Sequence, residues 1–290
     1  MAQSLSPTAS NLPTLLLGAS SATGQALLRQ ATDLGPVWAI SRQSKPPSVK
    51  SGCVDPLHWV VHDLAQSPAP IAWNTLISFG PVDHALRQVE ALDGQASAQR
   101  VIALSSASPQ FKANSADPAE RDMMRRLLDT ETQLQRACEA RGLSLTLLKT
   151  ALLYGGQPNA NIDRLAGLMA RLPWFPVVGR GRRHPVHVED LAALVLRLTK
   201  LDVTGSWALG GGEVLTYPAM LARIAHARGL PLRCIHVPLS LLRPMLAAAH
   251  AVGQLKDVRA VMLARQAEDL LVDDASARRD LGWRPGPFRP

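Results

Sequence analysis

Through the first 150 residues, short apolar runs alternate with helical patterns, the texture of a doubly wound parallel sheet. Thr14-Leu-Leu-Leu-Gly18 reads as a buried strand, and the following segment, Thr23 to Leu34, sets Ala26, Leu27, Ala31 and Leu34 on one helical face before Gly35 stops it. Further strands are predicted over 37–40, 58–62, 75–79 and 100–104, with a helix over 82–92. Pro68 and Pro70 interrupt the connection between the third and fourth strands, so a full crossover helix is not expected there. A long helix opens at Asp117-Pro118-Ala119-Glu120, with Asp as cap, Pro in the first turn and Glu three residues past the cap, and runs to Arg141 before Gly142. Met123 and Leu127 are expected on its buried stripe with Met124, Leu128 and Leu134.

After a strand over 143–148 the pieces shorten. Helices are predicted near 162–172, 190–200, 217–228 and 239–252, and strands near Val177, Val186, Trp207 and Ile235. The chain therefore divides into a nucleotide-binding type of sheet over residues 1–155 and a smaller α+β substrate-binding region over 156–290, whose parts need not be one continuous block. Core packing is the default for the Leu239 to Val252 helix, with a cleft roof, a membrane surface or a partner as alternatives.

Composition narrows the classes. Of 290 residues 47% are hydrophobic and 19% charged, which supports a packed core and excludes disorder as the main state. Lys and Arg outnumber Asp and Glu 31 to 23, giving +8 and admitting phosphate-bearing partners: nucleotide, nucleic acid or an anionic membrane surface. The basic residues are scattered, aromatics make up 4%, and no nucleic-acid-binding signature occurs, so nucleic acid is not the expected partner. Cys53, Cys138 and Cys234 are odd in number and far apart, which gives neither a disulfide framework nor a zinc site. No metal is expected from the eight histidines either. Met1 to Asn11 lacks a basic n-region and no run reaches the roughly 18 apolar residues of a membrane span, so a cytoplasmic protein is expected, with membrane contact at most peripheral.

The chemistry concentrates in Gly18-Ala-Ser-Ser-Ala-Thr-Gly24, between the first strand and the first helix. Free amides and the positive end of the helix dipole converge there, so an anion belongs there. Gly18 allows the tight exit from the strand and Gly24 lets the helix approach the sheet, while Ser21 stands where the dinucleotide pattern has its middle glycine. Ser20, Ser21, Ala22 and Thr23 complete the loop. A glycine-rich turn packing for its own sake is the alternative. At the end of the second strand, where an acid would select NAD, stand Ser41 and Arg42, which favour the 2′-phosphate of NADP, with NAD as the alternative cofactor. Asp63-Leu64 closes the third strand beside the expected adenine; a strand-end turn explains it almost as well.

These segments, with Ser105-Ser106, Gly142 to Gly155, Arg183-His-Pro-Val-His-Val-Glu-Asp-Leu191, Leu209 to Thr216 and Asp274 to Trp283, resemble extended or atypical short-chain dehydrogenases/reductases of the NAD-dependent epimerase/dehydratase type. The resemblance covers nearly the whole chain and implies a Rossmann fold. It puts the pyrophosphate on Gly18 to Gly24, the adenosine ribose at Arg42, the adenine at Asp63 and Leu64, and the second ribose over Phe79-Gly80. Ser106 stands where the family's serine or threonine binds the reacting oxygen, and Arg183 where relatives that use sugar nucleotides hold the substrate diphosphate. Both have bland alternatives, a polar strand-end residue and a solvated basic turn. The long helix resembles the one that pairs homodimers in this class.

One element of the family pattern is missing. Its proton relay is Tyr-x-x-x-Lys, in which lysine lowers the phenol pKa; here Met123 and Leu127 take those positions, and the two tyrosines, Tyr154 and Tyr217, are followed four residues on by Pro158 and Leu221. Ser106, Lys112, Lys149 or a water remain as proton donors. The expected function is NAD(P)-dependent epimerase or reductase chemistry on the keto group of a small polar substrate such as a nucleotide sugar. The alternative is an accessory or redox-sensing protein that binds NADP(H) without turnover.

Overall fold

The computed structural model describes residues 13–43, 56–92, 98–156, 160–171, 174–251, 253 and 259–290. Its first half runs β1 (Thr14–Leu17), α1 (Ala22–Gln30), β2 (Val37–Ser41), β3 (Leu57–Val61), β4 (Thr75–Ser78), α2 (Val82–Glu90), β5 (Arg100–Ser106), α3 (Pro109–Lys112), α4 (Pro118–Glu139) and β6 (Ser144–Thr150). Shorter elements follow: β7 (Leu153–Tyr154), α5 (Ala160–Arg171), β8 (Phe175–Val177), β9 (Arg182–Arg183), β10 (Val186–His187), α6 (Val188–Leu198) and β11 (Gly205–Leu209). The last are β12 (Leu215–Thr216), α7 (Tyr217–Ala227), β13 (Cys234–His236), α8 (Leu239–Ala251), α9 (Ala260–Ala264) and α10 (Ala275–Asp280).

Seven strands form one parallel sheet in the order β11-β6-β5-β4-β1-β2-β3. The order reverses between β1 and β4, the switch point at which doubly wound sheets open a crevice beyond their carboxyl ends. Leu17 is level with both Ile40 and Ser78, so the loops after β1, β2 and β4 leave the sheet together. Alternation along the strands builds two cores. Leu16, Ile77, Ile102, Leu148 and Leu209 pack with α1 and α6. Leu15, Leu17, Leu76, Val101, Leu145 and Leu147 pack on the other face with α2 and α4. The strand expected near Trp207 extends this main sheet as β11 rather than lying within the smaller lobe.

Several expectations need adjusting. Helix α1 stops at Gln30, with Ala31 already extended, and Leu34 reaches the core from a turn whose carbonyl accepts the Thr14 hydroxyl. Among the described residues no helix joins β3 to β4, as the prolines predict; instead the Gln88 side chain of α2 bonds both backbone groups of Ala69 and pins that connection. In α4 the buried stripe is Glu120, Met124, Glu131, Leu134 and Cys138. Met123 is 61% exposed and Leu128 41%, because the stripe at helical spacing turns them to solvent. Two carboxylates occupy the stripe because each has cationic partners, described below.

The smaller lobe is stitched by three two-stranded pairs, β7 with β10, β8 with β13 and β9 with β12, around Ile162, Met169, Phe175, Leu221 and Ile224. The chain then returns to the main body. Trp283 is buried and its indole donates to Gly210 O at 2.7 Å, while Phe288 packs on Tyr154. Trp283→Ala should cost about 3–5 kcal/mol of stability by removing this buried ring, whereas Met123→Ser should change it by less than about 0.5 kcal/mol; urea denaturation of both variants checks the contrast.

Candidate functional site

The loop between β1 and α1 is shaped by close approaches. Gly18 has φ 75°, and a Cβ there would stand 3.0 Å from Gly80 N and the Phe79 carbonyl carbon. At Gly24 a Cβ would lie 2.4 Å from Gly18 O, so only glycine lets the first turn of α1 settle on the loop. Gly156, beyond β7, closes from a third side, its own Cβ position 2.9 Å from Ala22 Cβ. Ser21 is the cap: its Oγ accepts from Gly24 N at 3.0 Å and its amide donates to Gly18 O. The Ser20 carbonyl is held by the Gln25 side chain. What remains are the amides of Ala22 and Thr23, at the first two helical positions, which have no acceptor within the helix. Thr23 is nearly buried, so these donors and the helix dipole act where water screens them poorly.

The neighbouring strand ends frame this point. Ser41 is buried and its Oγ accepts from Gln43 N, a local turn that leaves Arg42 projecting into solvent with no hydrogen bond or ion pair among the described residues. Asp63 Oδ1 accepts from Ala65 N, and Leu64 is buried, with its carbonyl near the Arg87 guanidinium of α2. Phe79 and Gly80 abut Gly18 as expected from the order of strands. Thus Gly18, Ser20 to Gly24, Phe79 and Gly80 come together at the switch point, flanked by Arg42 and Asp63.

Ser106 and Lys149 belong to different local networks. Ser106 Oγ accepts from Ser108 N at 3.1 Å and donates to Ser108 Oγ at 2.8 Å. Lys149 lies level with Ser105 on the adjacent strand, and both converge on Glu131 of α4: Lys149 Nζ at 2.6 Å, Ser105 Oγ at 2.5 Å. Glu131 was not expected from sequence, although a carboxylate among Met124, Leu134 and Cys138 at helical spacing signals a buried partner. Beside this pair a groove of about 380 Å³ runs between α4 and β6, floored by Leu145, Leu147 and Cys138. Burial pushes the Cys138 thiol up to about 12, so no reactive thiolate forms there.

Arg183 departs from the exposed, substrate-facing position that its motif suggested. It is 6% exposed, and its guanidinium donates to the carbonyls of Arg182, Glu268 and Arg265 while lying over the Tyr217 ring. Burial lowers its pKa from the usual arginine range. Both tyrosines are likewise committed to packing. Tyr154 donates to Pro287 O and accepts from Arg289 N, and burial pushes the Tyr217 phenol up to about 12. His184 accepts from Val272 N, and His187 caps α6 through Nδ1; burial lowers the pKa of each. Among the described residues no group of three or more His, Cys, Asp or Glu converges as a metal site, and no helix is long and apolar enough to cross a membrane.

A second buried carboxylate ties α4 to the chain's far end. Glu120, expected to close a capping box, instead turns inward to Arg265, with Ser115 Oγ donating at 2.7 Å and Arg259 and Lys112 nearby. Asp117 alone caps the helix, accepting from Ala119 N, and also pairs with Arg259.

No protein-family model matches the chain, and no curated protein matches it in sequence. Solved structures do. The chain is similar to MoeE5 in complex with UDP-glucuronic acid and NAD, at 19% identity over 95% of this chain and 94% of that one, TM-score 0.67. It is similar to UDP-glucose-4-epimerase from Stenotrophomonas maltophila with bound NAD and formylated UDP-arabinopyranose, at 15% identity over 96% and 94%, TM-score 0.66. A UDP-glucuronic acid 4-epimerase from Bacillus cereus with UDP-glucuronic acid and NAD gives 12% identity over 96% and 95%, TM-score 0.66. The chain shares the fold of sugar-nucleotide epimerases. The Rossmann architecture expected from the resemblance to extended short-chain dehydrogenases is therefore present.

The hydrogen bonds from Arg265 hold the Glu120 carboxyl at about 2, below its ordinary 4.5. A depressed carboxyl stabilises the folded state fully above its unfolded value and loses that contribution as pH falls from about 4.5 to 2, here roughly 3 kcal/mol in all. Urea midpoints at neutral pH and at pH near 3 should therefore diverge less in Glu120→Gln than in the wild-type chain.

Proposed function

We propose that this chain binds a nicotinamide dinucleotide across the switch point and acts as an NAD(P)-dependent epimerase- or reductase-like enzyme on the keto group of a nucleotide sugar or similar polar metabolite. The observation that carries the reading is the pair of amides without an acceptor in their helix, Ala22 and Thr23, at a helix start closed by Gly18, Gly24 and Gly156. Those residues would take the pyrophosphate. Arg42, without a side-chain partner among the described residues, would fork onto a ribose 2′-phosphate, which favours NADP, and Asp63 with Leu64 would border the adenine. The neighbours with NAD and UDP-sugars support the class of cofactor and substrate.

Bound there, the nicotinamide would supply hydride acceptance and return. This chain's own contribution is to orient the carbonyl and manage one proton. Ser106 Oγ lies at the end of β5 with Ser108 as its hydroxyl partner, an arrangement able to present one hydrogen bond to a substrate oxygen. Lys149, held by Glu131 at 2.6 Å, is a candidate in this sheet for the cation of the missing relay. Net reduction needs only one such donor, so it fits this residue set better than epimerisation. The commitment of both tyrosines to packing favours a second reading, a protein that binds the dinucleotide without turnover.

Fluorescence titration tests the cofactor reading. NADPH affinity should fall about 10- to 100-fold in Arg42→Ala, the loss of charge-assisted hydrogen bonds to a phosphate, with NADH binding unchanged. Equal loss for both, or tighter NADH binding by the wild-type chain, overturns the NADP assignment. Oxidation of bound NADPH by 4-keto nucleotide sugars separates the readings: turnover supports the enzyme, and complete inertness supports the second.

A further inference from the structure

We infer that the outer face of the smaller lobe, built from α8, β13 and the start of β8, docks on an anionic lipid surface. Helix α8 turns Leu242 and Leu246 inward, yet its outward face is also apolar: Leu241 is 58% exposed and Met245 49%, with Pro244, Ala247, Ala248 and Ala251 beside them. A helix apolar on both sides is ordinarily covered on both. The patch continues along the chain into β13, where Ile235 is exposed. It continues across the β8 pairing too, because Phe175 N donates to Arg233 O and sets exposed Trp174 beside that residue. On the other flank α8 packs against α9, which exposes Met262.

The segments that carry this patch hold basic residues and no acidic ones. From Val214 to Lys256 the sequence holds no Asp or Glu but five Lys or Arg, and from Arg164 to Val188 again no Asp or Glu but five Arg. Arg182, Arg223 and Arg228 are paired with carboxylates outside those segments. Arg171, Arg180 and Arg233 are exposed, and their side chains make no hydrogen bond or ion pair among the described residues. Arg233 stands beside Trp174 across the β8 pairing, and Arg171, the last residue of α5, lies three positions before Trp174 in the sequence. Unpaired arginines beside protruding Trp, Leu and Met side chains suit a negatively charged bilayer: the cations meet the headgroups while the apolar side chains enter the acyl boundary. A second copy of the chain fits less well, since self-pairing would set Arg171 and Arg233 of one copy against those of the other.

Cosedimentation of the full chain with phosphatidylcholine vesicles, with and without phosphatidylglycerol, is the test. Binding should require phosphatidylglycerol, weaken at high salt, and fall about tenfold or more both in Leu241→Asp/Met245→Asp and in Arg171→Glu/Arg233→Glu. NADPH titration and thermal melting of each variant should match wild type, which separates a lost surface from a lost fold and keeps this inference independent of the dinucleotide reading. Failure to sediment with anionic vesicles, or sedimentation indifferent to both variants, overturns it. So does a wild-type dimer in light scattering that Leu241→Asp/Met245→Asp dissolves, which would make a second copy the occupant.

Discussion

A methyl group at Gly24 would stand 2.4 Å from the Gly18 carbonyl, and the start of α1 is held where it is by that absence of a side chain. The consequence is electrostatic as much as steric. With the helix settled on the loop, Ser21 spends its hydroxyl on Gly24, and the amides of Ala22 and Thr23 are left without acceptors within the helix where the loops after β1 and β4 meet. Parallel strands of equal reach bring those loops together; the β1–β4 reversal opens the crevice; the glycines keep its floor within backbone distance of a ligand. The functional reading depends on this cradle, and the smaller lobe is built over the same edge of the sheet.

The buried charges do a different job. Glu131 joins α4 to β5 and β6 through Ser105 and Lys149, and Glu120 joins the same helix to Arg265 near the chain's end. Removing one partner from such a pair leaves an uncompensated charge, which costs more than an intact pair contributes. These networks therefore act as locks on geometry.

Much of this was legible in the sequence for identifiable reasons. The inner strands of the main sheet, such as β1 and β4, are buried on both faces and read as continuous apolar runs, and the glycine loop announces itself by its place between strand and helix. What escaped are features set by tertiary partners. Met123 and Leu128 look like core residues until the stripe is fixed by Glu120 and Glu131, whose burial depends on cations distant in sequence. Arg183 sits in a motif that suggests an exposed cation, yet the carbonyl of Arg182 and two more, Arg265 and Glu268, brought by the segment after α9 enclose it. Trp207 gives no sign that its strand crosses back to the main sheet, because an apolar run as short as Trp207-Ala208-Leu209 reads alike in either setting.

The most direct test of the cradle is a backbone-amide spectrum of the isotopically labelled chain with and without NADP+. The account predicts that the Ala22 and Thr23 amide signals shift on binding, together with those of Gly18 and Gly80, as the pyrophosphate accepts from the helix start. Saturable binding that leaves Ala22 and Thr23 unmoved and perturbs another part of the chain would contradict it.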